Sequence, residues 1–237
     1  MLTIEHLTKS YGGGVKAVDD LSITVMPGDI YGFIGHNGAG KTTTLRAVAG
    51  ILSFESGTIR VNGTSIAEDP IACKREMAYI PDNPDLYEHL TGIQYLNFVA
   101  DIYGVSAADR DERIQRYADA FEMTPRLNDL IASCSHGMKQ KIALISALIH
   151  GPKLLLLDEP FVGLDPKAAH TLKGFLTELC GGGSAVFFST HVLEVAEKLC
   201  NKIAIIKNGR LIAAGSMDEV KGDASLETLF LELTEHA

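Results

Sequence analysis

A chain of 237 residues, 46% of them hydrophobic and 22% charged, can bury a sizeable core without disulfides or a structural metal. Its formal net charge of −9 gives a nucleic-acid partner no electrostatic support, which sets that class of function aside. The opening MLTIEHLTKSYGG lacks the apolar core of a signal peptide, and no apolar run approaches the roughly 18 residues needed to span a bilayer. Any role at a membrane is therefore expected from the cytoplasmic side, through a partner.

Short strands are predicted first, at Leu2–Leu7, Ser22–Val25, Ile30–Ile34 and Thr58–Val61, separated by Gly, Asp and Asn turns. A helix is expected to begin within GAGKTTTLRAVAG and to stop at Gly50. From about residue 82 to 150 the texture turns helical, as in IQYLNFVADIY (Ile93–Tyr103) and ADRDERIQRYADAFEM (Ala108–Met123). LLLLD (Leu154–Asp158), AVFFS (Ala185–Ser189) and KIAII (Lys202–Ile206) are continuous apolar runs, the pattern of strands buried on both faces of a parallel sheet. Helices at Lys167–Leu179 and Val192–Leu199 separate them, so the alternation indicates an α/β fold interrupted by a helical insert. The tail places Leu226, Leu229, Phe230 and Leu233 on one face of a short helix. Cys73, Cys134, Cys180 and Cys200 stand far apart, with no CxxC pair, and read as thiols of a reducing compartment rather than as a metal site.

GHNGAGKTT (Gly35–Thr43) follows an apolar strand and opens a helix, matching GxxxxGK[ST] in the required context. Gly35, Gly38 and Gly40, with His36, Asn37 and Ala39 between them, let main-chain N–H groups approach a polyphosphate that a Cβ would obstruct. The helix N-terminus adds partial positive charge, Lys41 a full charge for the β- and γ-phosphates, and the Thr42 hydroxyl, next to Thr43, a ligand for Mg²⁺. LLLLDEP ends an apolar strand in two acids. Burying unpaired carboxylates is costly, which points to a site at that strand end. Asp158 would hold Mg²⁺ through water and Glu159 would be the general base for the attacking water; a turn capped before Pro160 is the plainer alternative. Asp165 lies in the loop FVGLDP, and His191 closes STH at the end of another strand, where it would sense the γ-phosphate.

Taken in order, these motifs resemble the nucleotide-binding domain of an ATP-binding cassette (ABC) transporter, along essentially the whole chain. The resemblance implies a P-loop NTPase core with a mostly parallel sheet, an N-terminal antiparallel β subdomain and an inserted α-helical subdomain. As one domain, the chain would divide into a core at about 1–81 and 151–222, a helical part at about 82–150 and a tail at about 223–237. It implies ATP and Mg²⁺ as ligands, with catalytic roles for Lys41, Glu159 and His191. Tyr11 would stack on adenine, although a strand-edge Tyr is the plainer reading. SHGMK from Ser135 occupies the signature position, where Ser135 and Gly137 would reach the γ-phosphate; Ser135 is also a good helix N-cap. In the family two such domains meet head to tail, each ATP lying between one phosphate loop and the other signature. The expected partners are accordingly a second nucleotide-binding subunit, identical or not, and a separately encoded transmembrane permease on whose cytoplasmic side the protein would sit.

Two departures from the family pattern stand out. His136 and Met138 replace a Gly and a Gln of the common signature LSGGQ, and Asp82 stands where a Gln usually ligates Mg²⁺. Asp82 is read either as a harder, charged metal ligand or as a turn residue before Asn83–Pro84. The brief tail and YIPDNPDLYEHLT resemble drug- and antibiotic-export ATPases. Hydrolysis driving export is thus the expected function, and a soluble ATPase of an assembly system, such as iron–sulfur cluster assembly, is the alternative.

Overall fold

The computed structural model describes residues 1–222 and 224–235, so parts of the expected tail at 223–237 lie outside the described residues. The chain opens with β1 (Leu2–Tyr11), β2 (Val15–Val25) and β3 (Ile30–Ile34), then the helix α1 (Lys41–Val48). β4 (Ser56–Val61), β5 (Thr64–Ser65), α2 (Pro70–Glu76) and β6 (Met77–Ile80) follow. Next come three helices, α3 (Gly92–Ile102), α4 (Ala107–Ala120) and α5 (His136–Ile149). The last part alternates: β7 (Leu154–Asp158), α6 (Pro166–Gly181), β8 (Ala185–Thr190), α7 (Leu193–Leu199), β9 (Lys202–Lys207), β10 (Arg210–Ser216), α8 (Met217–Lys221) and α9 (Leu226–Glu235).

Two sheets result. β2-β1-β4-β5 form a four-stranded antiparallel sheet, and β10-β9-β3-β8-β7-β6 a six-stranded one in which only the β9–β10 pair is antiparallel. Alternation along the central strands feeds two cores. Tyr31, Phe33, Leu154, Leu156 and Phe187 pack toward the antiparallel sheet and α1, while Ile34, Leu155, Leu157, Val186 and Phe188 pack toward α5, α6 and the other helices. Side chains on successive residues point to opposite faces, so a strand sandwiched between two cores must be apolar at every position. This is the mixed α/β architecture, with an antiparallel N-terminal sheet and a parallel-rich sheet, that the P-loop NTPase expectation requires.

Several elements exceed the sequence reading, each for a tertiary reason. β2 starts at Val15, seven residues before the predicted strand, through a charged stretch. Asp19 pairs there with Lys16 and Arg210, and the positive φ values of His6 and Asp20 mark an irregular register joined by a 2.7 Å His6–Asp20 contact. β6 is four residues long and exists by pairing with β7. β10 folds back on β9 through Asn208–Gly209, both at positive φ, a hairpin signal that the sequence carries openly.

Candidate functional site

β7, β8 and β3 lie side by side in the parallel sheet, with Asp158 opposite Ser189 and Ile34 opposite Thr190. Their carboxyl ends therefore deliver three chain segments to one place: the loop after Ile34, the Asp158–Glu159 pair, and Thr190–His191. That is the edge where open α/β sheets hold ligands. A cavity of ≈ 380 Å³ opens there. It is lined by Tyr11 and Ala17, by His36, Asn37, Gly38 and Gly40 to Thr43 along the loop and α1, and by Asp82 and Glu159.

The loop is shaped by glycine where no other residue fits. A Cβ on Gly40 would stand 2.3 Å from the Ala17 carbonyl oxygen, and Gly40 sits at φ +109°. Gly38, at φ +81°, faces open space, so that stretch of main chain can be approached closely by a ligand. α1 begins at Lys41 with no side chain capping it, which leaves its first N–H groups to an anion. Gly35 and Ala39 belong to the loop but do not line the cavity; Gly35 is pressed against Ile206, and the Ala39 N–H closes the turn on the His36 carbonyl at 3.1 Å.

Lys41 is buried, and its Nζ donates to the carbonyls of Gly35 at 2.6 Å and His36 at 3.3 Å. It also forms an ion pair with Glu159 Oε1 at 3.3 Å, without hydrogen-bond geometry. The other Glu159 oxygen, Oε2, accepts from the His191 main-chain N–H at 3.3 Å and faces His191 Nδ1 at 3.0 Å. Glu159 holds φ +49°, a costly conformation for a residue with a Cβ, and its own N–H is anchored on Ser189 Oγ at 3.0 Å and Ser189 O at 3.2 Å. A carboxylate gripped at main chain and side chain, one oxygen toward a lysine and one toward a histidine, is oriented for proton transfer at the cavity wall.

Asp158 is buried and accepts the Ser189 hydroxyl at 2.5 Å. Ser189 thus ties Asp158 to the Glu159 main chain, a role not assigned from sequence. The available signal was a lone hydroxyl inside the fully buried run AVFFS. Gln140 was missed as well: buried on α5, it donates Nε2–H to the Pro160 carbonyl at 3.0 Å and so couples the helix behind Ser135 to the turn after Glu159. The Tyr11 ring is half exposed at the cavity rim, its hydroxyl 3.4 Å from Thr43 Oγ1.

Besides Gly35 and Ala39, five expected residues do not line this cavity: Asp158, His191, Ser135, Gly137 and Asp165. Asp158 is buried behind the wall on Ser189, and His191 meets the cavity only through its contact with Glu159. Ser135 caps α5, its Oγ accepting from the Met138 N–H at 3.3 Å, and Gly137 sits in the first turn of that helix near the Gly163 carbonyl. Asp165 caps α6 and pairs with Lys141 at 2.7 Å; the Lys141 ammonium and the Ala168 N–H hold its carboxyl below the usual range. Asp82 does line the cavity, on a bend just after β6, a placement compatible with both readings of it.

Comparison with known proteins decides the family. The ABC transporter family profile matches residues 18–162. Over 239 residues the chain is 38% identical to the ABC-type transporter ATP-binding protein EcsA of Bacillus subtilis (strain 168), covering 99% of this chain and 96% of that protein. The Nod factor export ATP-binding protein I of Cupriavidus metallidurans is 34% identical over 220 residues, covering 93% of this chain and 72% of that one. A solved ATP-binding subunit of an ABC transporter superposes with a TM-score of 0.95 at 36% identity, covering 99% of both chains. This chain belongs to the ABC transporter family.

It is the ATP-binding and ATP-hydrolysing subunit of such a transporter, and the iron–sulfur assembly alternative finds no support in these comparisons. Among the described residues of this ABC subunit no helix is long and apolar enough to cross a membrane. Nor do the described residues include a cluster of three or more His, Cys, Asp or Glu able to hold a metal ion. The oxygen donors Thr42, Asp158 and Asp82 nonetheless suit Mg²⁺, a hard ion that is bound through one or two carboxylates together with substrate phosphates rather than in an all-protein cage.

Proposed function

We propose that this subunit drives export as one half of an ATP-bridged pair, through a separately encoded transmembrane permease. The observation that carries the pairing is a separation within one chain: Ser135 and Gly137 begin α5 away from the cavity that Lys41, Thr42 and Thr43 line. A hydroxyl at a helix N-terminus is an anion site, and here it has no phosphate loop of its own to face. The Ser135 and Gly137 of a second nucleotide-binding subunit, identical or not, close over the cavity, and Asp165 stands beside that junction. The export reading is supported by the relative named for Nod factor export.

Within each site Lys41 and the Gly35–Thr43 loop bind the phosphates, and Tyr11 stacks on adenine. Thr42, Asp158 and Asp82 would hold Mg²⁺, which would supply charge neutralisation at the terminal phosphates. A polyphosphate reaching Lys41 competes with Glu159 for its ammonium, which frees the carboxylate to take a proton from the attacking water while His191 keeps it oriented. The whole chain acts as one nucleotide-binding unit, with the helices α3 to α5 as its arm. Tyr87, within the segment 82–91, and Phe98 and Ile102 on α3 are exposed, an apolar patch suited to docking on the permease at the inner face of the cell membrane.

Glu159→Gln tests the reading. It should bind MgATP, hydrolyse it about 10² to 10⁴ times more slowly, and accumulate as an ATP-dependent dimer in size-exclusion chromatography. A variant that binds MgATP in calorimetry yet stays monomeric, alone and with its permease, overturns the pairing.

A further inference from the structure

The phosphate loop is touched from a distant part of the chain. The His36 ring, at the mouth of the cavity, lies with its centroid 4.8 Å from that of Phe230 on α9, the two planes inclined by 59°. Phe230 is buried although its helix is near the end of the chain. Leu226 is fully buried beside it, and Leu229 and Leu233 pack against the same core, which includes Ala196 and Cys200. α9 packs on α7, whose first residue, Leu193, follows His191 by two positions. One short helix therefore touches both the phosphate loop and the element that leaves the Glu159–His191 contact.

His36 is a consequential place to touch. Its carbonyl accepts Lys41 Nζ at 3.3 Å and the Ala39 N–H at 3.1 Å, so rotation of that peptide would move the lysine anchor and the turn together. On either side the loop is locked, because Gly35 abuts the Ile206 carbonyl and Gly40 the Ala17 carbonyl. Between them Gly38 meets no neighbour within 4 Å of its notional Cβ. The latitude of the loop is thus concentrated at 36–38, and the Phe230 ring restrains its first residue.

We propose that α9 is an aromatic clamp on the phosphate loop, with Phe230 as a positioning residue that fixes His36 and through it the main chain that receives the phosphates. The clamp rests on the phosphate-loop role given above and goes beyond it by linking that loop to the tail. A helix that holds the loop in its binding geometry lowers the ordering cost of nucleotide binding, and linkage requires that bound nucleotide stabilise the docked helix by the same factor. An aromatic pair of this kind corresponds to about a two- to tenfold change in affinity.

The chain contains no tryptophan, so Phe230→Trp places a single indole against His36. Titrated with MgADP, its emission should change saturably, with the midpoint measured for the same variant by calorimetry, and the change should disappear when His36→Ala is added. Phe230→Leu, which keeps an apolar side chain in the core and removes the ring, should bind MgADP about two- to tenfold more weakly, with the same loss in KM for ATP and kcat altered less than twofold. A purely structural role for Phe230 would lower the melting temperature without that split. Unaltered MgADP affinity in a folded Phe230→Leu overturns the clamp, and so does a silent indole at calorimetric saturation. A wild-type chain that bound no MgADP would instead overturn the phosphate-loop role itself.

Discussion

Removing the Ser189 hydroxyl should slow hydrolysis while leaving nucleotide affinity intact. In the folded chain Ser189 is fully buried, and its Oγ donates to Asp158 at 2.5 Å while accepting the Glu159 N–H at 3.0 Å. Ser189→Ala deletes both contacts, yet the Glu159 N–H keeps the Ser189 main-chain oxygen at 3.2 Å, so the strained Glu159 peptide is loosened rather than orphaned. The larger loss is at Asp158, a buried carboxylate deprived of its donor. Hydrogen bonds to charged groups contribute about 1.5–3 kcal/mol. If about 2 kcal/mol of that positions Asp158 and Glu159 in the transition state, kcat falls roughly 30-fold. Because the Ser189 hydroxyl itself touches neither Lys41 nor the Gly35–Thr43 loop, KM for ATP should stay within about twofold. Steady-state phosphate release across ATP concentrations measures both, and Ser189→Thr, which retains the hydroxyl, should recover most of the rate. If the same free energy served folding alone, the melting temperature would drop by about 4–8 °C and kcat would not move. A kcat within twofold of wild type in Ser189→Ala would refute the reasoning.

The remaining predictions concern charge. Lys41→Ala removes the buried ammonium that three oxygens share, and should abolish tight MgATP binding in calorimetric titration; unchanged affinity would sink the phosphate-cradle assignment. Asp82 faces the same cavity as Lys41 and Thr42, so Asp82→Gln and Asp82→Ala should both raise affinity for metal-free ATP, with Asp82→Ala also lowering turnover stimulated by the permease. Wild-type behaviour of both in Mg²⁺ titrations with the permease present would leave Asp82 a turn residue. His150 stacks on Tyr103 with centroids 3.7 Å apart, and burial, aided by Arg113, pushes its pKa down to about 4 from 6.5. The unfolded chain then takes up the proton first as pH falls, so the stability this residue contributes at pH 7 is lost between about 6.5 and 4. His150→Phe, which keeps the stack, should reduce the stability difference between pH 7 and pH 4.5 by up to roughly 2–3 kcal/mol in urea melts, and an acid limb parallel to wild type would contradict this.

Much of the chemistry was legible because it is local. GHNGAGKTT carries its turn, its charge and its helix start within nine residues, and LLLLDEP announces a buried strand ending in acids. Periodicity identified the central strands for the same reason, since a strand between two cores has no polar position to spare. The Asn208–Gly209 hairpin is equally local, since that dipeptide alone takes both positive φ values of the turn. Other features are invisible one residue at a time. β2 runs through Asp19 and Asp20 because Arg210, far along the chain, neutralises one of them, and no window of sequence contains that partner.

The sequence by itself determined the α/β class, the phosphate loop and the acids at the end of β7, all of them set by contiguous residues whose spacing, polarity and turn chemistry suffice. Only the tertiary structure decided who touches whom across the sheet. It seats Ser189 between Asp158 and Glu159, brings Gln140 to Pro160, lays Phe230 on His36, and keeps Ser135 and Gly137 off the cavity that holds Lys41. Those contacts depend on the order in which strands pair and on the packing of helices over them. Both are fixed by burial summed over the whole chain, which no single segment encodes.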